Sequence, residues 1–337
     1  MPLERKPYWR EVPQELKDQI ASTVGAPVRR AVRVFGGYGP SATFRLFLAD
    51  GRTAFAKGAG LRATEHHWAV LPREERAYRE VAAIRRWAPK FYGAVRCEGW
   101  HLLLLEDLHG ATWVPPWTEA LAARAVEEIA ALHIACASFS ETLELHRFLA
   151  DDFAGCWASL APEAPDREGF LQLFGPRREE ASRWLDVALP TLAAHAALLA
   201  RGDQPMGAIH ADIRSDNLAF RGEDLVLFDW ADLSYGPLAA DIAGFLPSLA
   251  AEGGPATADM AERYCAALAR GGVEMPLWAL HGAASAIAGY FASRAGRPPA
   301  AGLPRLRAVQ RQQLSAALPW IAGAAKLPPP PAVPRYG

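Results

Sequence analysis

Two acids and an amide punctuate one polar stretch of the chain. They lie in His210-Ala211-Asp212-Ile213-Arg214-Ser215-Asp216-Asn217 and in Asp229-Trp230, which follows the apolar run Leu225-Val226-Leu227-Phe228. Moving a γ-phosphoryl group needs a carboxylate to orient the attacking hydroxyl and accept its proton, and oxygen ligands to hold Mg²⁺ across the phosphates. A loop of the form H-x-D-x-x-x-x-N, with a further Asp at the end of the next strand, supplies both. On that reading Asp212 is the catalytic base, Asn217 and Asp229 are the metal ligands, and ATP is the donor, with GTP the other nucleotide such a site admits. Arg214 is either a cation that offsets charge on the transferred phosphate or a surface residue of a polar loop.

Residues that act on a nucleotide need a scaffold, and the first third of the chain reads as one. Residues 31–57 contain two β-rich runs around a Gly-rich turn and a third run after Asp50-Gly51, a three-stranded meander. Lys57 ends the third run, where it suits contact with the α- and β-phosphates; a lone strand lysine is otherwise a solvated edge residue. The turn with Gly37, Gly39 and Ser41 is expected to cover the phosphates, although it is not a P-loop. A helix over 74–87 follows, and Glu80 is the expected ion-pair partner of Lys57, with Glu75 the rival on another face. A strand pair at 91–96 and 101–105 leads to Glu106-Asp107-Leu108.

Beyond that point the sequence turns alanine-rich and helical, over 119–138, 142–160, 176–200, 255–271, 276–294 and 304–322. The polar loops around Asp212 and Asp229 interrupt this series. Loops held on a helical scaffold are where chemistry concentrates. The Pro-rich tail from 326 to 337 favours polyproline II geometry and is expected to lie outside the core.

The whole chain narrows the function classes. With 337 residues, 51% hydrophobic, it can bury the core of a two-lobed protein. Its net charge of -1 offers no general field for nucleic acid or an anionic membrane. No apolar run reaches the roughly 18 residues of a membrane span, and the charged first residues lack a secretory h-region, so a cytoplasmic protein is expected. The four cysteines form no CxxC pair, and the helical histidines lack zinc spacing.

HADIRSDN, LFDWADLSYGPLAADIA and the late GLPRLRAVQRQQLSAALPWI resemble the aminoglycoside phosphotransferase family, which includes choline kinases and shares the fold of protein kinases. The last stretch is similar to an actinobacterial branch. The resemblance runs from about residue 30 to residue 320. It implies an α+β, two-lobed protein-kinase-like fold: a nucleotide-binding lobe over 1–107 with a small antiparallel sheet, and a mainly helical catalytic and substrate lobe over 108–325. Asp212 then takes the catalytic role, with Asn217 and Asp229 on magnesium. Asp241 braces the catalytic loop, His210 supports it, and the backbone at Glu106 and Leu108 meets the adenine edge. Ala231 departs from the glutamate common in the family.

The acceptor is expected to be a hydroxylated small molecule such as an aminoglycoside-like antibiotic or another natural product; a choline-type alcohol kinase and a nucleotide-binding pseudokinase are the competing readings. Asp151, Asp152, Trp157, Trp230 and Tyr235 are the candidate acceptor residues. An aromatic and acidic wall of this kind suits a cation, so the pocket is expected to be acidic or neutral.

Overall fold

Residues 102–105 are four consecutive leucines, all buried, as in a strand covered on both faces. The computed structural model describes residues 5–35, 41–137, 145–300 and 303–334. Contacts divide the chain into two units: Met1–Trp113 with Asp216–Leu233 and Ala301–Pro304, and Val114–Ser215 with Ser234–Ala300 and Arg305–Gly337. The fold class is protein-kinase-like, as expected.

The first unit opens with α1 (Gln14–Val24), then β1 (Val28–Arg33), β2 (Ala42–Leu48) and β3 (Thr53–Ala59), α2 (Glu65–Glu80), β4 (Phe91–Cys97) and β5 (Trp100–Glu106). The five strands make an antiparallel sheet in the order β1-β2-β3-β5-β4, which puts the leucine strand inside. Leu16, Ile20 and Val24 recur every fourth residue along α1 and pack into one apolar cluster with Phe44, Leu46, Ala54, Ala56, Leu102 and Leu104 of the sheet. Lys57 alternates with those alanines and therefore points to the other face, toward α2. Gly58 beside it is required by close approach, since a Cβ there would lie 2.0 Å from the His101 carbonyl. The unit is completed by β6 (Thr112–Trp113) against the hairpin of β9 (Leu218–Arg221) and β10 (Asp224–Leu227).

Helix α2 begins nine residues before the expected start. Pro72 reads as a breaker, yet the helix runs through it and ends at Val81, where a 3₁₀ turn, Ala82–Arg86, takes over. That shift decides which acid meets Lys57.

The second unit holds α3 (Glu119–Ala137), β7 (His146–Arg147), α4 (Ala150–Ala154), α5 (Arg167–Gln172), α6 (Arg178–Ala197), β8 (Met206–Ile209), β11 (Ser234–Pro237), α7 (Leu238–Ala251), α8 (Thr257–Arg270), α9 (Leu277–Ala295) and α10 (Leu306–Ala324). The small sheet β7-β11-β8 carries the chain into the loop at His210. Helix α9 is buried nearly all round and packs against α6, α7 and α10. Its glycine 289 leaves room for an indole: a Cβ there would meet Trp157 Nε1 at 2.7 Å.

Two further expectations are corrected. Of the helix expected over 142–160, the described part from 145 onward is a short strand, α4 and a 3₁₀ turn broken at Gly155, because the Phe148 N–H donates to the Tyr235 carbonyl at 2.9 Å. The described part of the tail, 326–334, does not lie wholly outside the core. The Pro328 carbonyl accepts the Trp184 indole N–H at 2.8 Å, and Val333 is buried.

Candidate active site

Helix register places Glu74, not Glu80, opposite β3. The two lie six residues apart, about 240° around the helix, so they cannot share a face. Lys57 Nζ donates to Glu74 Oε1 at 2.9 Å and to Asp229 Oδ1 at 2.7 Å. Glu80 is held on the exposed side by Arg76 at 2.7 Å, and Glu75 binds Arg79, Arg96 and His101, so neither pairs with the lysine. The expected Lys57–Glu80 pair is thus replaced by Lys57–Glu74.

This cluster is electrostatically tense. Burial works against the charge of Lys57, and Asp229 and Glu74 more than offset it, so its pKa is raised. Burial pushes Glu74 the other way, up to about 6, against the pull of Lys57. The Tyr78 hydroxyl, one turn along α2, donates to Glu74 Oε1 at 3.3 Å and accepts the backbone N–H of Asp229. Neither Glu74 nor Tyr78 was singled out from sequence; the signal lies in their i, i+4 spacing in E-E-R-A-Y, usable only once the helix start is known.

Asp229 sits in the left-handed region, with φ 69° and ψ 55°, a conformation a non-glycine residue adopts at a cost of about 1–3 kcal/mol. The turn points its carboxylate back to Lys57 while leaving the side chain 41% exposed. Leu218 pairs with Leu227 at the end of the β9–β10 hairpin, and the Phe228 N–H donates to the Asn217 carbonyl at 3.0 Å. Asn217 and Asp229 therefore leave the same end of one hairpin. Among the described residues no group of three or more His, Cys, Asp or Glu could hold a metal alone. Asn217 and Asp229 carry amide and carboxylate oxygens, the donor type that hard divalent cations take.

In the second unit the loop after β8 is braced from below. Asp241, in the first turn of α7, is fully buried and accepts the backbone N–H groups of His210 at 2.8 Å and Ala211 at 2.6 Å. Ala211 is itself left-handed, with φ 65°, so the carboxylate grips the strained residue. His133 Nε2 lies 3.1 Å from Asp241 and its Nδ1 2.7 Å from the Tyr264 hydroxyl, a chain that places the ring proton toward the carboxylate. His210 is buried, and its Nδ1 accepts the Asp212 N–H at 3.3 Å. Asp212 Oδ2 stands 3.2 Å from Arg214 Nη2, with the Asp212 side chain 34% exposed. Trp117 donates to Ser215 Oγ and Glu252 at 3.3 Å, tying down the far end of the loop.

The remaining candidates divide. The Glu106 N–H is spent on the Lys90 carbonyl and its carboxylate on Arg221, and the next residue, Asp107, is pinned by Arg45 at 3.0 Å. Leu108 accepts the Ala111 N–H. Gly37 and Gly39 lie outside the described residues, and Ser41 is partly buried just before β2. Asp151 and Asp152 are exposed on α4, and Tyr235 is partly buried on β11. Trp157 and Trp230 are corrected: both are core residues, with indole N–H groups donating to the carbonyls of Ser285 and Leu227 at 2.8 Å. They cannot form an acceptor wall.

Residues 49–284 match the model of the phosphotransferase enzyme family named for aminoglycoside phosphotransferases, and the chain belongs to that family. Comparison with curated proteins finds no match. Among solved structures, a spectinomycin phosphotransferase in complex with ADP and spectinomycin superposes with a TM-score of 0.62 at 12% identity, over 93% of this chain and 98% of that one. The choline kinase of Streptococcus pneumoniae gives 0.58 at 13% identity, over 92% and 98%. A type VIII aminoglycoside-3'-phosphotransferase gives 0.51 at 19%, over 81% and 98%. Identities this low carry the fold alone. Among the described residues no helix is long and apolar enough to cross a membrane.

Proposed function

We propose that the chain transfers the γ-phosphate of ATP to a hydroxyl group of a small molecule. The observation that carries this reading is the half-buried Lys57 held between Glu74 and Asp229, in the unit where Asn217 and Asp229 leave one hairpin end. A lysine kept charged in this way is ready to exchange a carboxylate for nucleotide phosphates, and Asp229 has exposed surface left for a metal.

Asn217 and Asp229 would hold Mg²⁺, which when bound neutralises charge on the phosphates. Asp212 orients the acceptor hydroxyl and takes its proton; Arg214, 3.2 Å away, offers a cation to the transferred group. Asp241 fixes the loop through the two N–H groups before Asp212 and touches no reactant. The backbone at Glu106 and Leu108 receives the adenine edge, through the Glu106 carbonyl and the Leu108 N–H, because the Glu106 N–H is already used. The cytoplasm, where ATP is supplied, is the compartment this chemistry implies. A module that only bound nucleotide would have no use for an acid on a braced, strained loop. A screen of hydroxylated compounds for acceptor-stimulated ADP release tests the reading, with Asp212→Ala as the blank. Stimulation that survives in the blank would remove Asp212 from the chemistry.

A further inference from the structure

Arginines gather where α9 ends and α10 begins. Arg294 lies in the last turn of α9, Arg297 just beyond it, and Arg307 and Arg311 one turn apart at the start of α10. Among the described residues Arg297 alone of the first three meets a carboxylate, binding Asp166 through two bonds of 2.7 Å. Arg294 donates to Cys156 Sγ at 3.4 Å and Ser293 Oγ at 2.9 Å, and lies 3.9 Å over the Tyr290 ring. Arg307 donates to the Pro298 carbonyl at 3.0 Å and to Gln310 Oε1 at 2.8 Å.

Arg294 and Arg307 are thus partly withdrawn from water and bonded to neutral acceptors. Burial acts against the charge of Arg307, and repulsion from Arg297, Arg294 and Arg311 adds to it, so its pKa is lowered. Helix capping explains Arg311, which donates to the Ala295 carbonyl at the end of α9 at 3.0 Å. It does not explain why Arg294 and Arg307, both bonded to neutral acceptors, stand near Arg297 and Arg311, where a bound anion would relieve the repulsion and the planar guanidinium groups match an oxyanion's geometry.

The place matters as much as the charge. Tyr290 stacks on Phe153 of α4 and Phe153 on Phe148, each at 5.0 Å, and Phe148 is hydrogen-bonded to Tyr235 of β11, the neighbour of the strand that enters the Asp212 loop. An aromatic ladder therefore connects the arginines to the strands that carry the catalytic loop.

We propose that this cluster binds an oxyanion of the acceptor, a carboxylate or a phosphate, so that the acceptor is a hydroxylated acid or phosphate ester rather than a polyamine. The identification as acceptor rests on the phosphotransferase reading; the anion site does not. The sign is the reverse of the acidic or neutral pocket expected from sequence.

Two measurements separate these. With the nucleotide site saturated by Mg²⁺ and AMP-PNP, sodium sulfate is titrated against sodium chloride of equal ionic strength and the melting temperature is followed. Sulfate is expected to stabilise the native chain more than Arg307→Gln, with Arg307→Lys in between; equal gains in all three overturn the anion site. In the ADP-release assay, hydroxy acids and phosphorylated alcohols are run beside choline and aminoglycosides. One of the two anionic classes is expected to be turned over, which tells carboxylate from phosphate. Arg307→Gln should then raise the acceptor KM roughly 10- to 100-fold, the worth of one charged hydrogen bond, with nucleotide KM unchanged. Turnover of the amines alone overturns the acceptor assignment. Sulfate binding without turnover of any class leaves the anion site standing and brings down the phosphotransferase reading instead.

Discussion

Lys57 is balanced by carboxylates 17 and 172 residues further along the sequence, and the two are not equivalent. Glu74 is nearly inaccessible and pushed up to about 6, whereas Asp229 is 41% exposed and strained. The raised value of Glu74 means that the folded chain holds its proton more tightly than the unfolded chain does. Its stabilising contribution is therefore complete below the ordinary 4.5 and lost as pH rises through about 6. The functional sign is opposite, because Glu74 holds Lys57 best when ionised. Nucleotide KM is expected to rise as pH falls below about 6, and Glu74→Gln should lack that acid limb; a limb that persists in the variant belongs to another group. Glu80→Gln is expected to leave KM unchanged, since Glu80 faces Arg76. For Asp212→Asn, kcat should fall by about 10²–10⁴ while nucleotide binding stays nearly intact, the pattern of a lost general base. Parallel losses of kcat, affinity and melting temperature would assign Asp212 to loop structure.

Elements with a clean hydrophobic period were readable in advance, as β2, β3 and α8 show. Helix α1 has that period in Leu16, Ile20 and Val24 and was missed all the same; helix α7 lacks it. Helix α7, LAADIAGFLPSLAA, is apolar on every side and carries Pro247, so nothing in its pattern marks a face, although it supplies Asp241. The start of α2 was hidden by Pro72, and with it the register that selects Glu74. The hairpin that carries Asn217 and Asp229 at one end was legible because its two short runs lie within twelve residues of each other in the sequence. The burial of Trp157 was not, because it depends on a glycine 132 positions away. That contact can be tested: Gly289→Ala brings a Cβ against the indole and is expected to cost about 1–3 kcal/mol, a fall of several degrees in melting temperature. An unchanged midpoint would show that the helix shifts freely there.

At the scale of the whole molecule, the tail is part of the helical unit. It covers Trp184 and buries Val333, so truncation after Lys326 is expected to lower stability by about 2 kcal/mol without changing the acceptor preference. The chain's net charge of -1 conceals local fields of both signs: acids around Lys57, and arginines at the junction of α9 and α10. The division of labour between nucleotide holding and acceptor activation is tested most directly by calorimetric titration of AMP-PNP, with and without Mg²⁺, into the native chain, Asp212→Asn and Asp229→Asn. The native chain and Asp212→Asn should bind with similar affinity and only when Mg²⁺ is present, while Asp229→Asn should lose most of that metal-dependent binding. Equal affinities in the two variants, or a native chain that binds no nucleotide at all, would contradict it.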